Sequence, residues 1–231
     1  MAEAARLAEA IDLLPIGSLS PGRLEALAAR LSRRVELACH VLPSPELPLR
    51  RIPNRDQLDA NALLVAVEAR ATSESRLLVG VAEEDIAVPL FTFVFGLARQ
   101  GGRAGMVSRA RTDPAFYGLP PDPDLRDERA VAEVLHEMGH LATLEHCPDR
   151  GCLMSFAGNI ERVDTRGSRF CPSCRERLPH WLRGSPDPRE ARVDLGPGEG
   201  RSVSPRLLPP SPLPDDPRVE RRAAGEAGHR P

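Results

Sequence analysis

The spacing of apolar residues along the N-terminal half of the chain predicts both helices and strands. Helical intervals predict amphipathic helices over residues 2–14 and 20–34 and another helix over 55–70. Strict alternation over residues 35–41 predicts a half-buried strand, and the short apolar run at 77–81 predicts a buried one. Because a strand, a helix and a strand in this order form a βαβ unit, the sheet is expected to be at least partly parallel.

The second half of the chain predicts two further strands and a long helix. The strands are expected over residues 91–97 and 104–107, followed by a loop rich in Pro and Asp over 112–127 and, near the end, a short helix over 175–183. The long helix lies between these segments, and its apolar residues recur at offsets of three and four. They are Val131, Val134, Leu135, Met138 and Leu141.

Composition and charge exclude several classes of function. Hydrophobic residues make up 41% of the 231 residues but aromatic residues only 3%, so the core must consist mainly of Leu, Val and Ala. A formal net charge of -2 gives no general attraction to nucleic acid or to anionic membranes. No apolar stretch is long enough to span a membrane, and the N-terminus does not resemble a signal peptide. A cytoplasmic protein with reduced cysteines is therefore expected.

Three histidines and a glutamate fall at metal-ligand spacings. His136 and His140 are four residues apart, so on a helix their imidazoles can meet one Zn²⁺, with Glu137 beside them as a general base. His146 is the expected third ligand, and it lies too far along the chain for the same helical face. The chain must therefore turn back just after Ala142. The alternative is a core helix with incidental histidines, but the apolar residues of this helix already supply a core-facing stripe.

Three protein nitrogens leave one position on zinc open for water, as a catalytic site requires. Zinc lowers the pKa of such a water to about 7. Glu137 is expected to take the proton of this water as it attacks a peptide carbonyl. HExxH alone is a weak match, whereas HExxHxxxxxH with Met154 downstream is a much stronger indication of peptide hydrolysis.

Four cysteines form a second group of candidate ligands. Cys147 and Cys152 enclose four residues, and Cys171 and Cys174 enclose two. Paired thiolates at short spacings hold tetrahedral Zn²⁺ with no position left for water, so this site is predicted to be structural. Disulfides or four unrelated buried thiols are the alternatives. Because Cys147 directly follows His146, closing the cysteine site would also fix the third histidine.

These residues together resemble the archaemetzincins, metallopeptidases whose signature joins HExxHxxGxxHC to CxM and then CxxC. The resemblance extends upstream to residues 93–96 and covers most of residues 35–180. It implies a metzincin-like α/β fold with a mixed sheet and an active-site helix, and two Zn²⁺ per chain. The residues it assigns are His136, His140 and His146 to the catalytic zinc, Glu137 as base, Cys147, Cys152, Cys171 and Cys174 to the structural zinc, and Met154 to the Met-turn beneath the histidine site.

The resemblance also bears on substrate and activity. It implies aminopeptidase-like action on a peptide or protein substrate, with the strand over residues 91–97 as an edge strand that pairs with extended substrate. Thr143 departs from the signature because it stands where the family has glycine, the residue that reaches positive φ without a steric penalty. A β-branched residue there costs on the order of 1 to 3 kcal/mol. A catalytically weak or inactive zinc-binding protein on the same fold is therefore the alternative function.

The expected organisation has three parts. Residues 1–34 form an N-terminal helical segment, 35–183 the zinc metallopeptidase domain, and 184–231 a Pro-rich disordered tail that cannot bury enough apolar surface to order itself. No partner is assigned to the tail. A nucleic-acid-binding zinc ribbon is disfavoured, because Asp and Glu offset the arginines and no aromatic stacking platform is evident.

Overall fold

A five-stranded mixed sheet forms the centre of the fold. The computed structural model describes residues 8–71 and 76–183. Within them the strands are β1 (Ala10–Ile16), β2 (Ala38–Val41), β3 (Leu58–Asp59), β4 (Arg76–Ala82), β5 (Ile86–Ala87), β6 (Gly96–Ala98) and β7 (Ala104–Ser108). The sheet has the order β2-β1-β4-β7-β6, in which the first four strands are parallel and β6 is an antiparallel edge strand. β3 and β5 pair separately. The predicted α/β fold with a mixed sheet is confirmed.

Helices cover both faces of this sheet. They are α1 (Pro21–Ser32), α2 (Ala60–Glu68), α3 (Pro123–Leu141), α4 (Ile160–Thr165) and α5 (Pro172–Arg177), with short 3₁₀ helices at Ala110–Thr112, Pro114–Tyr117 and His180–Leu182. Alternate residues of β4 face opposite sides, as strand geometry requires. Leu77 and Val79 pack with α1 and α3, whereas Leu78 packs with α2.

The predicted helix over residues 2–14 is wrong, because β1 occupies the described part of that segment. β1 lies between β2 and β4 and pairs with both, which leaves residues 10–16 buried on both faces of the sheet. Asp12 is accommodated there because Arg76 of β4 donates a hydrogen bond to it at 2.6 Å. Pairing on both sides therefore overrides a helical spacing that could be read in the sequence.

Three other predicted elements change in length or position. The strand predicted over 35–41 is shorter, Ala38–Val41, and β1 separates it from β4, so the predicted βαβ unit does not consist of neighbouring strands. The strand predicted over 91–97 is reduced to Gly96–Ala98. The predicted loop over 112–127 instead contains the last residue of one 3₁₀ helix, the whole of a second at Pro114–Tyr117, and the first turn of α3.

The candidate site lies beside the edge strand β6, where the C-terminal part of α3 packs against the sheet. α3 packs against β6 and β7, and the chain after α3 turns back toward the same edge. The single helix predicted over 175–183 is instead α5, which ends at Arg177, and a separate 3₁₀ helix that buries Trp181. The tail predicted over 184–231 lies outside the described residues.

Candidate active site and metal centres

The helix α3 has two faces of different character. Its N-terminus is capped by Asp122, whose carboxylate accepts a hydrogen bond from the Leu125 N–H at 3.0 Å. The apolar residues of the predicted stripe are buried in the core. A second face carries polar residues at positions i, i+3, i+4 and i+7, which share one side of a helix. These are Glu133, His136, Glu137 and His140, and all four line a cleft of about 410 Å³.

The three predicted histidines converge at this cleft. The ring centroids of His136 and His140 are 4.8 Å apart, and those of His146 lie 5.3 Å and 4.9 Å from them. The candidate ligand atoms of the three rings lie within 4.8 Å of one another. The imidazole predicted to return from beyond the helix therefore does reach the two on α3.

Backbone carbonyls orient two of these rings. The Nδ1 of His136 lies 2.8 Å from the Leu153 carbonyl oxygen, and the Nδ1 of His140 lies 2.8 Å from that of Leu144. Because a carbonyl oxygen only accepts, each Nδ1 must carry the hydrogen, which leaves the Nε2 lone pair free. Burial lowers the pKa of all three histidines, that of His136 well below its usual value. Neutral imidazoles of this kind suit a metal cation.

The turn after α3 is built around Thr143. This residue has φ of 70°, which lies in the left-handed region, and it stands at the position where the family signature has glycine. Its N–H donates to the His140 carbonyl at 2.9 Å, and its carbonyl accepts a hydrogen bond from Gln100 Nε2 at 3.1 Å. The predicted sharp turn is therefore formed by a β-branched residue in a strained conformation.

Glu137 lies against the edge strand. A Cβ built on Gly96 of β6 would lie 2.5 Å from Glu137 Oε1, so the missing side chain at Gly96 makes room for the carboxylate. Burial raises the pKa of Glu137 well above its usual value, and the neighbouring Glu133 carboxylate raises it further. A raised pKa is the direction of shift that favours proton uptake by this carboxyl group, as general acid–base catalysis requires.

A buried ion pair lies behind His136. Arg166 Nη2 donates to Glu133 Oε1 at 2.6 Å, and both side chains are almost fully buried. Arg166 Nη1 also donates to the Ser155 carbonyl at 3.2 Å and lies 3.2 Å from His136 Nδ1. Burial raises the pKa of Glu133, and the charge of Arg166 opposes that rise. The pair therefore places a cation beside a ring that must stay neutral to bind a metal.

The four predicted cysteines form a second cluster. All four are free thiols, so the disulfide alternative is not present, and their sulfur atoms lie within 4.8 Å of one another. The Sγ atoms of Cys147 and Cys171 are 3.9 Å apart, close to the roughly 3.8 Å separation that tetrahedral zinc with Zn–S of about 2.3 Å requires. Burial raises the pKa of Cys152 to about 11, and it also raises the pKa of Cys174. A cation is needed to hold such buried thiols as thiolates.

Met154 packs against Gly139 of α3. A Cβ built on Gly139 would overlap its sulfur, so the glycine inside HExGH permits this close approach. Leu153, whose carbonyl orients His136, directly precedes it, and the Met154 carbonyl accepts a hydrogen bond from the Cys147 N–H at 2.8 Å. One short segment therefore supports both clusters.

Comparison with known proteins gives a consistent result. The model of peptidase family M54 matches residues 71–180. The archaemetzincin of Methanocaldococcus jannaschii is 34% identical over 169 residues, which cover 73% of this chain and 92% of that protein. The chain belongs to the archaemetzincin family. It is accordingly a member of a family of zinc metallopeptidases, whose substrates are peptides or proteins.

Solved structures of a zinc-dependent peptidase and of an archaemetzincin share the fold. A zinc-dependent peptidase from Methanocorpusculum labreanum aligns with a TM-score of 0.65 and 28% identity, covering 73% of this chain and 99% of that one. The archaemetzincin of Archaeoglobus fulgidus, solved with malonate, aligns with a TM-score of 0.61, 28% identity and the same coverage. Within the described residues of this archaemetzincin family member, no helix is both long and apolar enough to cross a membrane.

Sequence reasoning overlooked several residues of the site. Glu133 lies three residues before His136, so it falls on the same helical face as the HExxH residues. The sequence therefore contained a pattern that could have identified Glu133. Gly96 was noted only as part of a strand, and nothing local marks Arg166 as the partner of Glu133. Phe156 also contributes to the cleft wall, with its ring centroid 5.3 Å from that of His146.

Proposed function

We propose that this chain is a metallopeptidase in which His136, His140 and His146 hold a catalytic zinc and Glu137 is the general base. The observation that carries the proposal is the convergence of three imidazoles in an open cleft, with the Glu137 carboxylate on the same face of α3. Three ligands leave a coordination position for chemistry, whereas a closed site would have four.

The residues present fit zinc. His136 and His140 each have Nδ1 engaged with a carbonyl, which leaves Nε2 as the ligand atom. Zinc, when bound, would supply Lewis-acid chemistry at a peptide carbonyl and would lower the pKa of water. Glu137 would accept a proton from the attacking water at its carboxylate and return it to the departing amine nitrogen. Gly96 leaves the space in which that carboxylate is held.

A second, structural zinc is proposed for the four cysteines. Cys147, Cys152, Cys171 and Cys174 supply four sulfur ligands, so no position is left for substrate. Because Cys147 follows His146 in the chain, this zinc would fix the return of the third imidazole. Its role would be to hold the cleft in shape rather than to take part in hydrolysis.

The substrate is proposed to be a peptide bound in extended form along β6, with removal of its N-terminal residue. β6 is the edge of the sheet and all three of its residues line the cleft, so its outer backbone groups are suited to pairing with a strand of substrate. Support for aminopeptidase action comes from the family resemblance. It predicts that N-terminal acetylation of a peptide abolishes cleavage, which mass spectrometry of acetylated and free peptides would measure.

A second candidate function is that of a weakly catalytic or inactive zinc protein on the same fold. The positive φ of Thr143 favours it, because strain in the turn between His140 and His146 would displace the imidazole of His146 from the position that zinc coordination requires. In that case the zinc of the cleft would bind, but turnover would be slow or absent.

The experiment that tests the proposed function compares wild type with Glu137→Gln on a library of short peptides. Loss of the general base is expected to lower kcat by about 10²–10⁴-fold, while the zinc content stays the same. Glu145→Gln is the matched control, because Glu145 is exposed beside His146 but does not line the cleft. Equal processing of the library by wild type and Glu137→Gln would exclude the enzyme proposal, and absence of hydrolysis by both would favour the inactive alternative.

A further inference from the structure

The cleft continues past His146 into a second hollow on the protein surface. His146, Phe156 and Gly158 line both the cleft and this hollow, so the two are adjoining parts of one surface depression. Two arginines, Arg150 and Arg162, also line the hollow. A chain that passes the three imidazoles in this direction would meet two guanidinium groups.

The local fold fixes Arg162 at this position. Asn159 caps α4 by accepting a hydrogen bond from the Arg162 N–H at 2.9 Å. The guanidinium then reaches back over the segment that follows Met154, with Nη2 3.4 Å from the Ser155 hydroxyl oxygen and 3.5 Å from the Arg150 carbonyl oxygen. Nη1 lies 3.3 Å from the Thr165 hydroxyl oxygen. All three acceptors are neutral and the contacts are long, so none of them neutralises the charge of Arg162.

Neither arginine has a carboxylate partner within residues 8–71 and 76–183. Three other arginines do have one: Arg166 pairs with Glu133, Arg129 with Asp164 and Arg99 with Glu68. Arg150 is exposed and makes no side-chain hydrogen bond in this part of the chain. Two guanidinium groups that line one hollow beside the cleft, with no carboxylate partner among the described residues, are suited to an anionic group of a bound molecule.

We propose that Arg150 and Arg162 form a carboxylate-binding subsite that extends the cleft beyond His146. This inference rests on the proposed peptidase function and specifies its substrates, namely peptides that carry a carboxylate on this side of the scissile bond. The carboxylate comes from the C-terminus of a short peptide or from an Asp or Glu side chain. Guanidinium groups bind either by the same paired N–H donation, so the two sources are distinguished by experiment.

The test measures binding rather than turnover. The full chain carrying Glu137→Gln is loaded with zinc and titrated by calorimetry with unlabelled Ala/Leu tetrapeptides in matched pairs. In one pair, one peptide ends in a carboxylate and the other in a carboxamide. In each of the other pairs, one peptide has Glu and the other Gln at a single position, and these pairs cover every position after the first. We expect the carboxylate member of at least one pair to bind about tenfold more tightly, as a charge-assisted hydrogen bond would give. The pair that shows the preference identifies the source of the carboxylate.

Replacing both arginines provides the second arm. Arg150→Gln with Arg162→Gln is expected to remove the preference and to leave the Kd of the uncharged peptide within about twofold, since a neutral peptide makes no ion pair there. Arg33→Gln is the control, because Arg33 is an exposed arginine that lines neither the cleft nor the hollow; this variant should keep the preference for the carboxylate peptide. A preference that survives the double replacement, or equal binding within every pair, would overturn the inference.

Three further outcomes can be told apart. If the double variant loses zinc, the arginines serve to balance the charge of the four thiolates near Cys147, and the subsite proposal is wrong. Hydrolysis by wild type without any carboxylate preference would refute the subsite alone. A preference without hydrolysis would refute the peptidase function and leave a carboxylate-binding cleft.

Discussion

The two ligand clusters of this protein differ in their number of ligands and in their access to solvent. The histidine trio has three ligands and lies in an open cleft, where His136 is buried, His140 is half-buried and His146 is exposed. The cysteine quartet has four ligands, of which Cys152 and Cys174 are buried. The segment after α3 supplies one ligand of the trio, His146, and two of the quartet, Cys147 and Cys152, whereas Cys171 and Cys174 lie at the start of α5.

This difference indicates how one short stretch of chain could hold a reactive and an unreactive metal side by side. A fourth protein ligand fills the tetrahedron and excludes substrate, whereas an open cleft with a carboxylate on its wall admits it. The clusters are joined by the peptide bond between His146 and Cys147. We therefore expect substitution of a cysteine ligand to lower stability more than substitution of a histidine ligand does. Substitution of a histidine ligand should mainly lower activity.

The largest expected effect follows from removal of one buried thiol. Cys152→Ser should cost at least about 5 kcal/mol, because structural zinc sites contribute about 10–16 kcal/mol of binding free energy. In thermal unfolding this corresponds to a fall in Tm of roughly 10–20 °C for a chain of this size. His140→Ala is the comparison, since it should abolish activity with a much smaller fall in Tm. Similar Tm losses in the two variants would remove the proposed distinction between the clusters.

A smaller effect is expected at the wall of the cleft. Gly96→Ala would bring a Cβ to 2.5 Å from Glu137 Oε1, so the carboxylate must move. Misplacement of a catalytic group by about 1 Å can cost 10²-fold, so we expect kcat to fall by about 10 to 100-fold with zinc content unchanged.

Gly105→Ala is the matched control for Gly96→Ala. Its Cβ would lie 3.1 Å from the Ala98 Cβ, which must shift by a few tenths of an ångström, and 3.6 Å from the Glu137 Cβ, which is ordinary contact; no atom of the carboxylate is among its three nearest neighbours. It should retain most of the activity in the same peptide assay. If the two variants lose kcat equally, the space at Gly96 has no special part in holding Glu137.

The smallest expected effect concerns the turn that joins the two clusters. Thr143→Gly removes backbone strain of about 1–3 kcal/mol and adds about 0.5–1 kcal/mol of unfolded-chain entropy. The net gain of about 1 kcal/mol should raise Tm by roughly 2–4 °C. Thr143→Ala retains a Cβ at positive φ and should gain less. A fall in Tm on Thr143→Gly would mean that contacts of the threonine side chain outweigh the strain.

Local spacing in the sequence was sufficient to predict the helix and both ligand clusters. His136 and His140 share a face through helical periodicity alone, and the turn that returns His146 follows from the distance it must cover. Even the positive φ at Thr143 could be anticipated, because glycine occupies that position in the family signature. The histidine pair and each cysteine pair depend on residues close together in the chain, whereas the expectation for Thr143 depends on the family resemblance.

Features that depend on distant partners could not be predicted. β1 is a strand because β2 and β4 pair with it on both sides, although its own spacing favours a helix. The strand predicted over 91–97 is reduced to Gly96–Ala98, and Phe93, which precedes it, packs under the Arg111 guanidinium, whose carbon lies 3.9 Å from the Phe93 ring centroid. The Arg166 and Glu133 pair joins residues 33 positions apart without any local pattern.

The central claim is that the three imidazoles bind a zinc ion distinct from the zinc of the cysteines. Anomalous diffraction at the zinc edge, from crystals of zinc-saturated protein, tests this claim most directly. We predict two peaks, one about 2.0–2.1 Å from a nitrogen of each of His136, His140 and His146, and one about 2.3 Å from each of four sulfur atoms. A single peak among the cysteines, with the ring of His146 turned away from the other two, would contradict the account.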